Sequence, residues 1–500
     1  MKVKESIKRN KTNIITFLVM LCFSIVMCNG FVRMHYTADS YKIADWGYEK
    51  YMFARSLKDG RIFMFIFLDI CNIINLPLKW TNYISEIFGL NFSCLSVMII
   101  RSIIVNLKEP KTKWQSFLVD IISYLTIFNF MYIEVLYFIE TIVISLSVLL
   151  FTLAAKEIVL SENKYIPKSI IYSILATFSY QGTIGYFLVL ICALIIIKNK
   201  DNIKEILKKF GIVILCSGIS VILNLIAVKV ICNYYGYEQT RLALNKVLFN
   251  IGYFIENMRY IIINSCGMIG QGVFVGILGL FEIIIIGYSL EKRQYKNIWV
   301  SILIILISIV LSFAMFIGTN SSFEHGRMYV GLGALPMIII MYAYIDMNIL
   351  QEKSFYEKAL IIFVMFYFVL NTSNYIKKIE NVQIKNKLEK EYSEKIVNYI
   401  KENNLDVKYA VIVDIRNHEE ELYFQEIKDK DNLTINELKG HGAAISGLIA
   451  NTDIKLQEIE DEKIENEYRR RYEEGNREGF IGDTYSAIID NILVMPAFIG

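Results

Sequence analysis

Apolar residues gather into long runs separated by polar connectors, near 13–32, 83–106, 115–133, 141–158, 210–232, 268–289, 298–317, 328–346 and 357–372. A helix needs about 20 such residues to cross a bilayer, so each run predicts a membrane-spanning helix. The stretch 169–197 is too long for one span and too short for two. Ser179-Tyr180-Gln181-Gly182-Thr183 breaks it in the middle. It predicts two short helices, 169–180 and 183–197, around a polar turn. Broken backbone at membrane depth is tolerated only where protein or a water-filled cavity covers it. A single tilted helix is the alternative, and it would invert everything downstream. The run 62–76 is short and holds Asp69, which predicts an interfacial or re-entrant helix. The pattern adds up to about eleven spanning helices in a polytopic α-helical membrane protein.

The connectors orient these helices. Lys/Arg-rich segments at 2–11, 108–113, 156–168, 198–209 and 292–296 alternate with segments at 31–61, 134–140, near 181, 233–267 and 318–327. Basic connectors stay cytoplasmic. The N-terminus is then inside, and everything after 372 is outside. The basic start and the apolar run that follows it carry no small-x-small cleavage site, which predicts a retained signal-anchor helix.

Beyond about 375 the pattern changes. A charged helix is predicted, with Ile379, Ile384, Leu388, Ile396 and Ile400 near one face. KYAVIVDI (408–415) reads as a buried strand and ELYFQEI (421–427) as a second one. Gly-rich turns are expected at 440–447 and 475–482. The chain thus divides into a transmembrane domain, 1–373, and a small extracytoplasmic α/β domain, 374–500.

Composition agrees with this division. Of 500 residues, 55% are hydrophobic, and the net charge is only +3. Neither a soluble globule nor a nucleic-acid binder is indicated. The eight cysteines form no C-x-x-C pair, and most lie in or beside apolar runs, where Cys acts as a small hydrophobe. Cys232 and Cys266 flank one outer connector and could pair. No phosphate loop, dinucleotide fingerprint, H-E-x-x-H or Cys/His cluster is found, and the four histidines show no ligand spacing.

Candidate chemistry concentrates in the outer segments. Residues 31–61 form the first long polar stretch, with Asp39, Asp45, Asp59 and Arg61 among tyrosine and tryptophan rings. Asp39 follows the first span closely and is placed to accept a proton from a hydroxyl. Asp45 and Asp59 are weaker candidates, since one base is enough and Asp59-Gly60 also reads as a turn. Glu134 and Glu140 flank Tyr137-Phe138 at the second outer tip and could bind hydroxyls or tune the base. Arg327 opens an inward-running helix, where a guanidinium can grip phosphate bidentately. His325 lies two residues away, and Arg61 is a second candidate. Arg241, Lys246 and Arg259 are further cations of the fourth outer loop.

An outer first loop with an acid, a polar-aromatic stretch ending Asp59-Gly60-Arg61, an interfacial helix and Ser179-Tyr180-Gln181-Gly182 between short helices together resemble the GT-C membrane glycosyltransferases. Arg327 followed by an apolar helix with Pro336 is also similar. Among that superfamily, the type II glucosyltransferases (Gtr) that decorate O-antigen are the nearest likeness, over residues 30–373. The resemblance implies a hexose, glucose by analogy, moved with inversion from a polyprenyl-phosphate donor to a cell-surface glycan on the outer membrane face. It implies Asp39 as base, Arg327 and Arg61 as phosphate contacts, and Tyr180 and Gln181 lining the cavity. It implies no nucleotide at the site. Members often carry paired acids in the first loop, whereas here Ser40 follows Asp39.

These readings predict a multi-pass plasma-membrane hexosyltransferase. Its partners are the lipid-linked donor, a surface glycan acceptor and membrane lipid, with no nucleic acid. No cofactor is expected, and a divalent metal stays open. A lipid-linked glycan flippase or polymerase is the alternative. A flippase should line its lumen with charge along whole helices, and a polymerase usually has one long arginine-bearing outer loop. A non-catalytic scaffold or sensor is a third class.

Overall fold

The computed structural model describes residues 2–28, 36–161, 165–236, 246–253, 255–256, 270–314, 326–347, 349, 354–415, 443–452, 454–475 and 480–498. The described chain is predominantly helical. In order come α1 (Lys2–Met27), α2 (Ala38–Tyr51), α3 (Ile62–Ile73), α4 (Leu78–Leu107), α5 (Lys113–Ile127) and α6 (Ile133–Tyr137). There follow α7 (Thr141–Leu160), α8 (Tyr165–Ser179), α9 (Ile184–Asn199), α10 (Ile203–Tyr235) and α11 (Gly270–Glu291). The last long helices are α12 (Tyr295–Ser312), α13 (Val330–Ile345) and α14 (Phe355–Glu402).

Seven helices among the described residues are long and apolar enough to cross a membrane, and the Lys11–Met27 part of α1, α3 and α13 are shorter apolar helices. The protein is therefore a polytopic helical one. Side chains outside the helix contacts support the same conclusion. Along α10, Ile203, Leu207, Ile214, Ile222, Ile226 and Val230 are all more than half exposed. A continuous apolar face of this length would be an aggregation liability in water and is an ordinary surface in lipid.

Contacts divide the chain into two compact units. The first comprises Met1–Val32, Met52–Phe67 and Tyr83–Ile376; the second comprises Arg33–Tyr51, Leu68–Asn82 and Lys377–Gly500. The first unit is a helical bundle in which α9 packs on α7, α12 and α13. Nearly every residue of α9 and all of Val330–Tyr344 in α13 are buried. Gly331 permits this approach, since a Cβ there would lie 3.0 Å from the Gly185 carbonyl oxygen.

In the second unit, α15 (Ala444–Thr452) and α16 (Glu462–Glu474) flank a four-stranded sheet in the order β2-β1-β4-β3. Its strands are β1 (Tyr409–Ile415), β2 (Gln457–Glu458), β3 (Ala487–Ile489) and β4 (Ile492–Phe498). The central strand β1 runs parallel to β2 and β4, while β3 and β4 are antiparallel. Alternation along β1 builds two cores. Ala410 and Ile412 face Ile396 and Ile400 of α14 and Leu448 of α15, and Val411 and Val413 face Tyr468 and Tyr472 of α16.

Several expectations need adjusting. The polar stretch 31–61 is not an open loop over its described part. It folds into α2, kinked at Gly47 (φ 77°), and a π-helical turn, Met52–Leu57. The helix that holds the last apolar run continues into the charged stretch beyond 372, since α14 runs unbroken for 48 residues, roughly 72 Å at 1.5 Å per residue. Of the face expected on it, Ile379, Ile396 and Ile400 are buried, whereas Ile384 is 53% exposed and the buried positions nearby are Lys385 and Glu389, because polar partners wait there. Residues 444–447 begin α15 instead of forming a turn; of 475–482, Gly475 caps α16 and Gly482, at φ 56°, opens a 3-10 turn, while 476–479 lie outside the described residues. The expected strand at 421–427 lies outside the described residues. The break at 180–183 is present: Tyr180 is extended, and a single 3-10 turn, Gln181–Thr183, separates α8 from α9.

Candidate functional site

The chain between α5 and α7 turns back inside the first unit, and every residue of Phe128–Tyr137 is buried. Its carbonyls find partners, as buried backbone requires. Asn371 Nδ2 donates to the Phe128 carbonyl at 2.6 Å, and Tyr375 Oη donates to that of Asn129 at 3.0 Å. Thr141 Oγ1 lies 2.9 Å from the Val135 carbonyl and 2.5 Å from that of Phe138. The short helix α6 is thereby held fixed, with Glu134 in it and Glu140 just beyond. Both glutamates are almost wholly buried.

Each glutamate holds an arginine. Arg61 Nη1 donates to both carboxylate oxygens of Glu140, with Oε2 at 2.6 Å. Arg327 donates twice to Glu134, through Nη1 to Oε1 at 3.0 Å and through its backbone N–H to Oε2 at 3.1 Å. Buried charges persist only when paired and hydrogen-bonded. Each guanidinium also has an aromatic ring against it: Tyr180 at 4.9 Å from Arg61, and Phe138 at 4.0 Å from Arg327. Such cation–π contacts strengthen when desolvated.

Arg61 is aimed by the turn before it. Gly60 sits at φ 74°, which glycine tolerates and other residues resist. Gln181 Nε2 donates to the Asp59 carbonyl at 2.9 Å, and Asn224 Nδ2 donates to that of Gly60 at 3.1 Å. Asp59 Oδ2 lies 3.9 Å from Arg61 Nη2. The helix break supplies Tyr180, whose hydroxyl reaches Met328 Sδ at 3.6 Å, next to Arg327. Ser147 serves the broken backbone, lying 2.8 Å from the Ala176 carbonyl oxygen and 3.0 Å from that of Tyr180.

The structure thus brings together Arg61, Glu134, Glu140, Tyr180, Gln181 and Arg327, all within the first unit. The two arginines read as phosphate contacts are each paired with, and oriented by, a glutamate. Arg327 is the more accessible, with 17% of its side chain exposed against 11% for Arg61. Asp39 belongs to the second unit, half-buried in the first turn of α2. Asp45 accepts a hydrogen bond from Ser446 Oγ at 2.7 Å and so has a structural role. His325 lies outside the described residues, as do the other three histidines, Arg241, Arg259 and Cys266. Lys246 is exposed, and Cys232 is a free thiol. Among the described residues, no group of three His, Cys, Asp or Glu could hold a metal ion.

Sequence reasoning missed Asn224, which left a usable signal, since a lone amide inside an apolar span demands a partner. It marked Phe138 only as part of the patch between the two glutamates, without its arginine. No protein-family model matches the chain, and the curated proteins compared with it include nothing similar.

Proposed function

We propose that the protein is a GT-C-like membrane glycosyltransferase. It takes a hexose from a polyprenyl-phosphate donor and passes it to a surface glycan at the outer membrane face. About eleven spans, a cytoplasmic N-terminus and an extracytoplasmic C-terminal unit belong to the same reading, by the distribution of basic connectors. The observation that carries it is the convergence of two arginines, each fixed by a buried glutamate and backed by a ring, from separate connectors of a polytopic bundle.

The chemistry suits such a set. The acceptor hydroxyl attacks C1 of the hexose, the C1–O bond to phosphate breaks, and phosphate departs with the electron pair. Inversion at C1 needs a base for the hydroxyl proton, the role that the GT-C resemblance gives to Asp39. Departure of phosphate needs positive charge held in place beforehand. Arginine suits this role because its planar fork matches phosphate oxygens and stays charged. Glu134 and Glu140 fix the guanidiniums, leaving Arg327 the more available to an anion. Tyr180 and Gln181 offer a ring and an amide to the sugar.

The direct test is a glycan profile of cells with and without the chain. The proposal expects one hexose substituent to disappear from a surface glycan, whose backbone length is unchanged. Loss or shortening of the whole glycan would instead favour a flippase or polymerase.

A further inference from the structure

Between residues 378 and 393, the buried side of α14 carries charged and polar groups among its apolar ones. Lys378, Val382, Lys385, Glu389 and Ser393 recur at three- and four-residue spacing, and all are buried. Burying an ion is costly unless partners meet it, so such a face is worth having only for what it holds. What it holds is the start of α2. Glu389 accepts from Tyr41 Oη at 2.5 Å and from Asn386 Nδ2 at 2.8 Å, with Lys385 Nζ at 3.9 Å. Asn386 also clasps the Tyr36 backbone both ways: Tyr36 N–H donates to Oδ1, and Nδ2 donates to the Tyr36 carbonyl, each at 2.9 Å. The two hydrogens of its amide thus serve Tyr36 and Glu389. The rings of Tyr36 and Tyr41 stack at 5.1 Å. Further along α2, Asp45 is tied to Ser446 of α15.

Asp39 lies between these two fixed points, residues 36 and 41. We propose that Glu389 and Asn386 are positioning residues for Asp39, locking the N-terminus of α2 so that the Asp39 carboxylate keeps one place while its side chain stays partly open to solvent. The inference rests on the reading of Asp39 as the base. Neither residue touches substrate. Their contribution is to orientation, and a displacement of about 1 Å can cost roughly 100-fold in rate.

The experiment uses the full chain in membranes, with Glu389→Gln, Glu389→Ala, Asn386→Ala and Tyr41→Phe. Glutamine keeps an oxygen for the Tyr41 hydroxyl. The expected result is a kcat about 10- to 100-fold lower in Glu389→Ala, Asn386→Ala and Tyr41→Phe, with donor KM within about 2-fold, and Glu389→Gln close to wild type. Hydrogen exchange of amides 36–45 should quicken in the two alanine variants and not in Glu389→Gln. Tyr41→Phe removes a single oxygen and keeps the test open should an alanine variant misfold. Wild-type kcat in Glu389→Ala with quickened exchange would overturn the positioning role. Unchanged exchange would overturn the lock itself. If Asp39→Asn keeps transfer, the base assignment fails separately, and the exchange data still decide whether the lock exists.

Discussion

Glu134 grips Arg327 at two points, taking the guanidinium on one oxygen at 3.0 Å and the backbone N–H on the other at 3.1 Å. The pair is therefore part of the chain trace as well as an ion pair, and it fixes where the turn Gly326–Met328 meets α6. Removing one partner strands the other in a buried place, at a cost of about 3–5 kcal/mol. Arg327→Met should lower the midpoint of thermal unfolding in detergent by several degrees. Adding Glu134→Gln should recover part of that loss. Strict additivity of the two changes would contradict the pairing.

Arg327→Lys keeps the charge and loses the planar fork. Transfer from a polyprenyl-phosphate donor should fall by about 10-fold or more, because one ammonium cannot hold the glutamate and phosphate oxygens in the same geometry. Wild-type rates in the lysine variant would reduce Arg327 to a bulk electrostatic role.

Gly60→Ala should be among the most damaging small changes. At φ 74°, an added Cβ would lie 2.5 Å from Val228 Cγ2, 2.8 Å from Gln181 Nε2 and 2.9 Å from Asn224 Oδ1. An alanine at positive φ with no room destabilises by more than about 1 kcal/mol. The turn that aims Arg61 must also move. A normal unfolding midpoint together with normal transfer would show that the turn is not needed.

Much of this arrangement was legible in the sequence, for a physical reason. Polar residues inside apolar runs are costly, so Ser179–Thr183 announced a break, and Arg61, Glu134, Glu140 and Arg327 stand out as ionisable groups of connectors beside the apolar runs. Their pairing was not legible, since Glu140 is 79 positions from Arg61 and Glu134 is 193 from Arg327. On α14 apolar spacing finds the buried Ile379, Ile396 and Ile400 but also favours the exposed Ile384, while Tyr36 and Tyr41, about 350 residues away, select Asn386 and Glu389. Asp39 was read as a loop acid. It stands on a helix, because Tyr41 and Ile43 find buried places there.

Orientation can be checked with Glu460→Cys, an exposed position beside β2, in a chain whose native cysteines are replaced. The account predicts reaction with a membrane-impermeant thiol reagent in intact cells. Labelling only after lysis would place the second unit in the cytoplasm and remove Asp39 from the outer face.

Arg471 donates to Asp490 Oδ2 at 2.6 Å and holds that carboxyl below its ordinary range, chiefly through the hydrogen bond. A depressed folded-state value stabilises above the unfolded value, about pH 4, and this contribution is lost as pH falls through the lower folded value. Asp490→Asn should therefore lower the unfolding midpoint slightly at pH 7 and not at pH 2. Asp490 is exposed and Arg471 half-buried at the surface, so 1 M salt should erase most of the difference. A difference that persists at pH 2 would contradict this origin.

The measurement closest to the central claim is transfer of labelled hexose from a polyprenyl-phosphate donor to surface glycan in purified membranes, normalised to protein amount, for wild type and Asp39→Asn. Asparagine is nearly isosteric and cannot take the hydroxyl proton. The account predicts transfer by wild type and a fall of about 100-fold or more in Asp39→Asn, with donor binding retained. Equal transfer by both would contradict it, and so would the absence of transfer by the wild-type chain.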